Sequence, residues 1–298
     1  MATLYTHQGQ NVRKTWMLMS IFFIIVIGLG FVFAQMYGNP NILYIFVIFS
    51  VGMNIVSYWY SDKIALSMAG AHPATRAQYF DFYTIVENLS ITAGLPMPKI
   101  FVIDDPSPNA FATGRDKKHA VIAVTTGLLS IMNKAELEGV IAHEMSHIGN
   151  RDMLVSTVAV VLVGFVSIVS DMMIRMTLFG GNRDSDNKGA GIFMIVGIVL
   201  SILAPIFATL IQLAISRKRE YLADTSGSLL TRYPEGLASA LEKISQYGKP
   251  MKKQSEAIAH LYIANPKGSG AFAKKIGNLF STHPPVEERI KRLRESLN

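Results

Sequence analysis

The 298-residue sequence contains no cysteine. Disulfides and thiolate metal sites are thereby excluded, so any metal has only imidazole and carboxylate ligands to draw on. The absence also fits a reducing compartment. Charge is scarce: Asp, Glu, Lys and Arg make up 16% of the chain, against about 25% in ordinary soluble domains. Half of the residues are hydrophobic, and mean hydropathy is positive at +0.31. This balance points to a membrane protein with a soluble part. The charge that remains is basic, 28 Lys and Arg against 21 Asp and Glu. No zinc-knuckle, RRM or P-loop pattern accompanies it, which argues against nucleic acid as a partner. The enrichment of Lys and Arg in cytoplasmic segments of membrane proteins accounts for the excess.

The apolar residues are grouped. Trp16 to Met36 and Ile42 to Tyr60 are long enough to cross a bilayer core, and the turn residues Tyr37-Gly38-Asn39-Pro40 join them. The first run exceeds the apolar stretch of a cleaved signal peptide, about 7–15 residues, so it is expected to be retained. Leu154 to Ser170 and Gly191 to Ile215 form a second pair around the polar loop 179–190, with Pro205 a kink in the latter. These runs lack ionisable residues apart from Asp171 at an edge. A metal-dependent transporter would carry such groups inside its spans, so transport is disfavoured.

Between the hairpins, Tyr79 to Thr92 has Phe82, Ile85, Val86 and Leu89 at helical spacing and ends at Gly94-Leu95-Pro96. Lys99–Ile103, Asn109–Thr113 and Ala120–Thr125 are expected strands of a small sheet. A further helix follows, with Asn133 as N-cap, Glu136 completing a capping box, and Gly149 as the residue that ends it. This helix carries His143-Glu144-Met145-Ser146-His147. Four residues turn a helix by about 400°, so both imidazoles share one face and can bind one Zn²⁺. Glu144 is rotated by about 100° from His143, which takes it off the metal but within reach of a water beside it. Zinc hydrolases need this arrangement. So short a motif also recurs by chance, and the rest of the chain must supply its context.

Basic residues give an orientation. Arg13, Lys14, Lys63, Arg76, the block Lys99–Arg151 and Arg217-Lys218-Arg219 fall on one side of the predicted spans, and Arg175, Arg183 and Lys188 on the other. Both termini and the motif are therefore expected in the cytoplasm. Glu220 and Asp224 follow the fourth apolar run four residues apart, on one helical face. Glu220 is the candidate third ligand and Asp224 the acceptor that orients a ligating imidazole. One membrane passage out and one back explains the long gap between His147 and Glu220.

These pieces together, His143-Glu144-x-x-His147, Glu220-Tyr221-Leu222-Ala223-Asp224, two apolar hairpins and Ser281-Thr282-His283-Pro284, resemble the HtpX family of bacterial membrane zinc endopeptidases. That family is related to the CAAX prenyl protease type I family. The resemblance implies an α-helical membrane protein with an α+β catalytic domain: four transmembrane helices and a gluzincin-like zinc domain with a small β-sheet. The segments are 1–60 (first hairpin), 61–152 (first catalytic half), 153–215 (second hairpin) and 216–298 (second catalytic half). It also implies one Zn²⁺ per chain on His143, His147 and Glu220, with Glu144 as base. Asn109, Ala110, Phe111 and Ala112 would form the edge strand that takes up substrate, and His283 would support an oxyanion. Read by itself, His283 is as readily the flank of the helix expected over Val286–Leu297. The implied activity is cleavage of misfolded or damaged membrane proteins at the cytoplasmic face of the inner membrane, in a stress response, with a family history of self-cleavage. The alternative, a catalytically silent zinc-binding scaffold or chaperone, would be expected to lack Glu144 or a ligand. Residues 246–282 carry Gly and Lys with a weak helical pattern and are a candidate flap. His7, His72, His119 and His260 have no ligand spacing.

Overall fold

Two long helices, α1 (Leu4–Tyr37) and α2 (Asn41–Ala69), form an antiparallel hairpin at the start of the chain. The computed structural model describes residues 4–159, 161–162, 164, 175, 217–252, 258–259, 261–264 and 284–296. Gly38 turns the hairpin at φ 62°, a left-handed value that glycine adopts without a Cβ clash. Its N–H donates to Gln35 O and that of Asn39 to Ala34 O, closing the end of α1. Both α1 and α2 contain a segment long and apolar enough to cross a membrane. Their outward faces leave Ile24 66% and Ile48 72% exposed, which suits lipid better than water. Both helices also outrun the apolar stretches. α2 continues past Tyr60 to Ala69, where Ala65, Leu66 and Ala69 form an apolar stripe buried against the sheet.

The sheet has four strands, β1 (Ala71–Pro73), β2 (Lys99–Ile103), β3 (Ala110–Gly114) and β4 (Ala120–Thr125), in the order β1-β2-β4-β3. β2 and β4 are parallel, and the outer pairs are antiparallel. β1 escapes the sequence reading because three residues are too few to show alternation. On the longer strands the period of two sends Ile100, Val102, Ala110, Ala112, Ile122 and Val124 to one face. There they meet Phe82, Ile85, Val86 and Leu89 of α3 (Phe80–Ala93). Ile103, Phe111, Val121 and Ala123 face the other way, onto the end of α2, Met251, Ile258 and Tyr262.

A short helix, α4 (Thr126–Ile131), leads into α5 (Lys134–Asn150). The expected capping box is present: Glu136 N–H donates to Asn133 Oδ1 at 3.0 Å, and Asn133 N–H to Glu136 Oε2 at 2.8 Å. The expected stop at Gly149 is corrected. Gly149 stays helical, and Arg151 takes the left-handed conformation at φ 57°, its N–H donating to His147 O and Ile148 O. Residues 152–159 are helical and pack Leu154 and Val158 against Met19 and Phe22 of α1. The remainder of the expected second hairpin lies outside the described residues.

Among the described residues three further helices follow, α6 (Arg217–Thr231), α7 (Pro234–Tyr247) and α8 (Val286–Glu295). α7 crosses α5 at Gly139, where a Cβ would meet Leu237 N at 2.5 Å. Lys243 of α7 donates to Glu136 Oε2 at 2.7 Å, tying α7 to the first turn of α5. Ile141, Met145 and Ile148 of α5 are fully enclosed, and each contributes about 1.5–3 kcal/mol by leaving water. The polar face of α5 is thereby turned toward α6.

Candidate active site

On α5 the apolar stripe faces α3 and the sheet, which turns His143 and His147 toward α6. The His143 and His147 Nε2 atoms stand 3.2 Å apart. Glu220, from the first turn of α6, lies 3.8 Å from His143 Nε2 through Oε2 and 3.5 Å from His147 Nε2 through Oε1. All three ligand atoms fall within 4.8 Å of one another. Ligands bonded at about 2.0–2.1 Å to a tetrahedral ion stand about 3.3 Å apart, so two imidazoles and a carboxylate here fit one metal ion. Glu144 is buried and lines the same cleft with both histidines and Glu220.

The electrostatics favour a cation. Burial by itself would lower the His147 imidazole, but the carboxylates of Asp152 and Glu220 outweigh it and push it up to about 9. A metal ion entering at neutral pH would displace that proton.

Each imidazole has a carboxylate behind it. Asp224 Oδ1 lies 2.9 Å from His143 Nδ1, although the angle falls short of a good hydrogen bond. His147 Nδ1 donates to Asp152 Oδ2 at 3.1 Å. Asp224 is in turn gripped by Arg289 of α8, whose Nε and Nη2 donate to its two oxygens at 2.9 and 2.7 Å. Arg289 is 1% exposed. Burial would raise the Asp224 carboxyl, and the Arg289 guanidinium reverses this and holds it down at about 2. A lowered carboxylate contributes stability in full above its unfolded value, near pH 4, and loses it as pH falls through 2. Melting of the metal-free protein between pH 5 and 2 is expected to lose about 2 kcal/mol from this pair. The slope should shrink in Asp224→Asn, and equal slopes would contradict the assignment.

α6 approaches closely because Gly227 faces the motif helix. A Cβ there would stand 2.9 Å from His143 N and 3.1 Å from Ala142 C. Gly227→Ala is expected to destabilise the fold by about 1–3 kcal/mol, as overpacking does. It should weaken metal binding as well, because the added methyl group presses on a ligand's backbone. Wild-type melting and metal affinity would contradict this.

The expected substrate strand is an edge of the sheet, since among the described strands β3 pairs only with β4. Asn109 immediately precedes it, and Thr125 N–H donates to Asn109 O. Alternation then turns the polar backbone groups of Ala110 and Ala112 outward. Ala110 O already accepts from Ile263 N–H, and Asn109 Oδ1 from Ala264 N–H. Phe111 is buried on the far face, edge-on to Tyr262. Of these four residues, only Ala112 lines the cleft, together with Met153, Ser156, Leu261 and Ile263. His283 and most of residues 246–282 lie outside the described residues.

The sequence reading missed Asp152 and Arg289. Asp152 follows His147 by five residues, within reach of its ring. Arg289 shares the inward face of α8 with Val286, Ile290 and Leu293. A charge in an apolar stripe signals a buried partner.

The comparisons agree with this geometry. The family model described as "Peptidase family M48" matches residues 77–297. A "Protease HtpX homolog" from Caldanaerobacter subterraneus subsp. tengcongensis is 47% identical over 298 residues, covering 98% of this chain and 97% of its own. One from Tropheryma whipplei is 47% identical and covers 99% of both chains. Among solved structures the fold is similar to S. mikatae Ste24p, with a TM-score of 0.51 at 18% identity, covering 97% of this chain and 67% of that one. The family match, the near full-length identity and the two-histidine, one-glutamate cluster lead to one conclusion: the chain belongs to peptidase family M48 and is a membrane metalloprotease.

Proposed function

We propose that the metal is zinc, one per chain, held by His143, His147 and Glu220, and that the enzyme is a multi-pass protein of a bacterial inner membrane. Its site faces the cytoplasm, and its substrates are misfolded or damaged membrane proteins met as part of a stress response. The observation that carries the reading is the convergence of His143, His147 and Glu220 within 4.8 Å. The absence of cysteine restricts the donors to a set that suits zinc. The cytoplasmic orientation is supported by Arg115, Lys117 and Lys118, which lie in the same domain as the site, in the turn that precedes β4. In this reading residues 1–60 and 153–215 are the membrane hairpins, and 61–152 and 216–298 fold together as the catalytic domain.

Zinc there supplies a Lewis acid that polarises a carbonyl and acidifies water. The protein's own groups do the rest. A substrate strand adds to β3 at Ala112, whose outward N–H and C=O are presented to the cleft. Ile263, paired at Ala110, marks where that strand must stop. Leu261, Ile263 and Met153 offer the flanking side chain an apolar wall. Glu144 accepts a proton from the water attacking the peptide carbon and passes it to the leaving amine nitrogen. Asp152 holds the His147 imidazole in the tautomer that presents Nε2, and the Asp224 carboxylate 2.9 Å behind His143 Nδ1 favours the same tautomer there.

The test is made on detergent-purified protein. It should hold one zinc per chain and cleave casein and an unfolded membrane protein, with cleavage abolished by a chelator and restored by zinc. Full zinc content without cleavage of any unfolded substrate would favour a scaffold or chaperone instead.

A further inference from the structure

The side chain of Asn11 in α1 joins three elements around the metal site. It is 3% exposed, on the part of α1 where the segment apolar enough to span a membrane begins. Its Nδ2 donates to Asn150 O, at the last residue of α5, at 3.0 Å, and to Asp152 Oδ1 at 2.7 Å. Its Oδ1 accepts from Arg219 Nη1 at 3.2 Å. Arg219 directly precedes Glu220 and also donates to Asp152 Oδ1 at 3.0 Å. Asp152 Oδ2 accepts from His147. One amide therefore touches the end of the motif helix, the carboxylate behind His147 and the neighbour of Glu220.

We infer that Asn11 is a positioning residue for the metal site, so that the first membrane helix sets the geometry of His147 and Glu220. The inference rests on the reading of those two residues as ligands. An amide suits the position because it donates and accepts at once, with no charge to bury. Replacing it leaves Asp152 Oδ1 with one donor fewer and unties α1 from the end of α5 and from Arg219. Anchoring α1 in the fold does not need this amide. Met19 and Phe22, higher on α1, pack on Leu154, Val158 and Leu162. What Asn11 adds is a connection to the ligands.

Three forms of the full-length protein in detergent decide it: wild type, Asn11→Ala and Asn11→Asp. Asn11→Asp keeps the shape and the acceptor for Arg219 but loses donation to Asp152. Zinc affinity is read by chelator competition, and ligand geometry by the visible absorption of the cobalt-substituted protein. Both variants are expected to bind zinc about 10–100-fold more weakly, as when a ligand's supporting partner is removed. Their cobalt bands should shift, and the metal-free melting temperature should fall further in Asn11→Asp, which sets a carboxylate against Asp152 Oδ1, than in Asn11→Ala. Ile24→Ala, on the lipid-facing side of α1, should change none of these. Wild-type zinc affinity and cobalt spectrum in a folded Asn11→Asp protein would overturn the inference. A wild-type protein that binds neither metal would instead defeat the zinc reading beneath it.

Discussion

Glu144→Gln should retain a full complement of zinc and lose peptide hydrolysis by about 10²–10⁴-fold, the range general acid–base catalysis contributes. The substitution keeps the shape of the side chain and removes only its ability to take a proton. Glu144 lies in the cleft beside both histidines but outside the cluster of ligand atoms, so the donor set is untouched. A helical step of about 100° separates it from His143, enough to put the carboxylate to one side of the metal. The loss should appear in kcat, with KM little changed, because the proposed strand addition at Ala112 does not involve Glu144. Metal content and steady-state cleavage on the same preparation decide the matter. Wild-type turnover with zinc bound would remove Glu144 from the mechanism.

The second large effect is expected far from the reacting atoms. Arg289→Leu should destabilise the protein by about 3–5 kcal/mol, because it strands the buried carboxylate of Asp224 without its partner. Burying a lone charge costs far more than the ion pair gains. The double variant Arg289→Leu/Asp224→Asn should therefore recover much of the stability. It should not recover zinc affinity, since the carboxylate behind His143 is then gone. Arg289→Lys should fall between, supplying charge without the two-pronged grip seen at 2.7 and 2.9 Å. Thermal melting with and without metal separates these outcomes. A single Arg289→Leu variant as stable as wild type would show that Asp224 finds another partner.

Features set by near neighbours in the chain were the ones legible in the sequence. The capping box at Asn133 and Glu136, the face shared by His143 and His147, and the β-branched runs of β2 and β4 depend on residues a few positions apart. Glu220 was reached by a longer argument, from its four-residue spacing to Asp224 and the need for a third ligand, and the fold brings it to the two histidines. What pattern could not supply was the pairing across distance. Arg289 meets Asp224 across 65 residues, and Arg219 meets Asp152 across 67 and Asn11 across 208. No periodicity encodes such partners; only the packing of α1, α6 and α8 around α5 selects them. The misplaced end of α5 has a local cause. Gly149 was free to be the stop, but the helix gains by holding His147 and Ile148 carbonyls against Arg151 N–H. Neither Asn150, whose carbonyl accepts from Asn11, nor Asp152 would reach its partner from a helix ended earlier.

The packing of α6 on α5 also fixes when the enzyme becomes dangerous to its surroundings. A chain emerging from the ribosome presents His143 and His147 first, with no acidic ligand to complete the set. Glu220 arrives 73 residues after His147, and Arg289, which steadies Asp224, later still. Until α6 has docked, the nascent polypeptide is a protease in sequence only. In the proposed reading, the order of translation thus withholds this chain's own activity until the carboxylate ligand stands beside the two histidines.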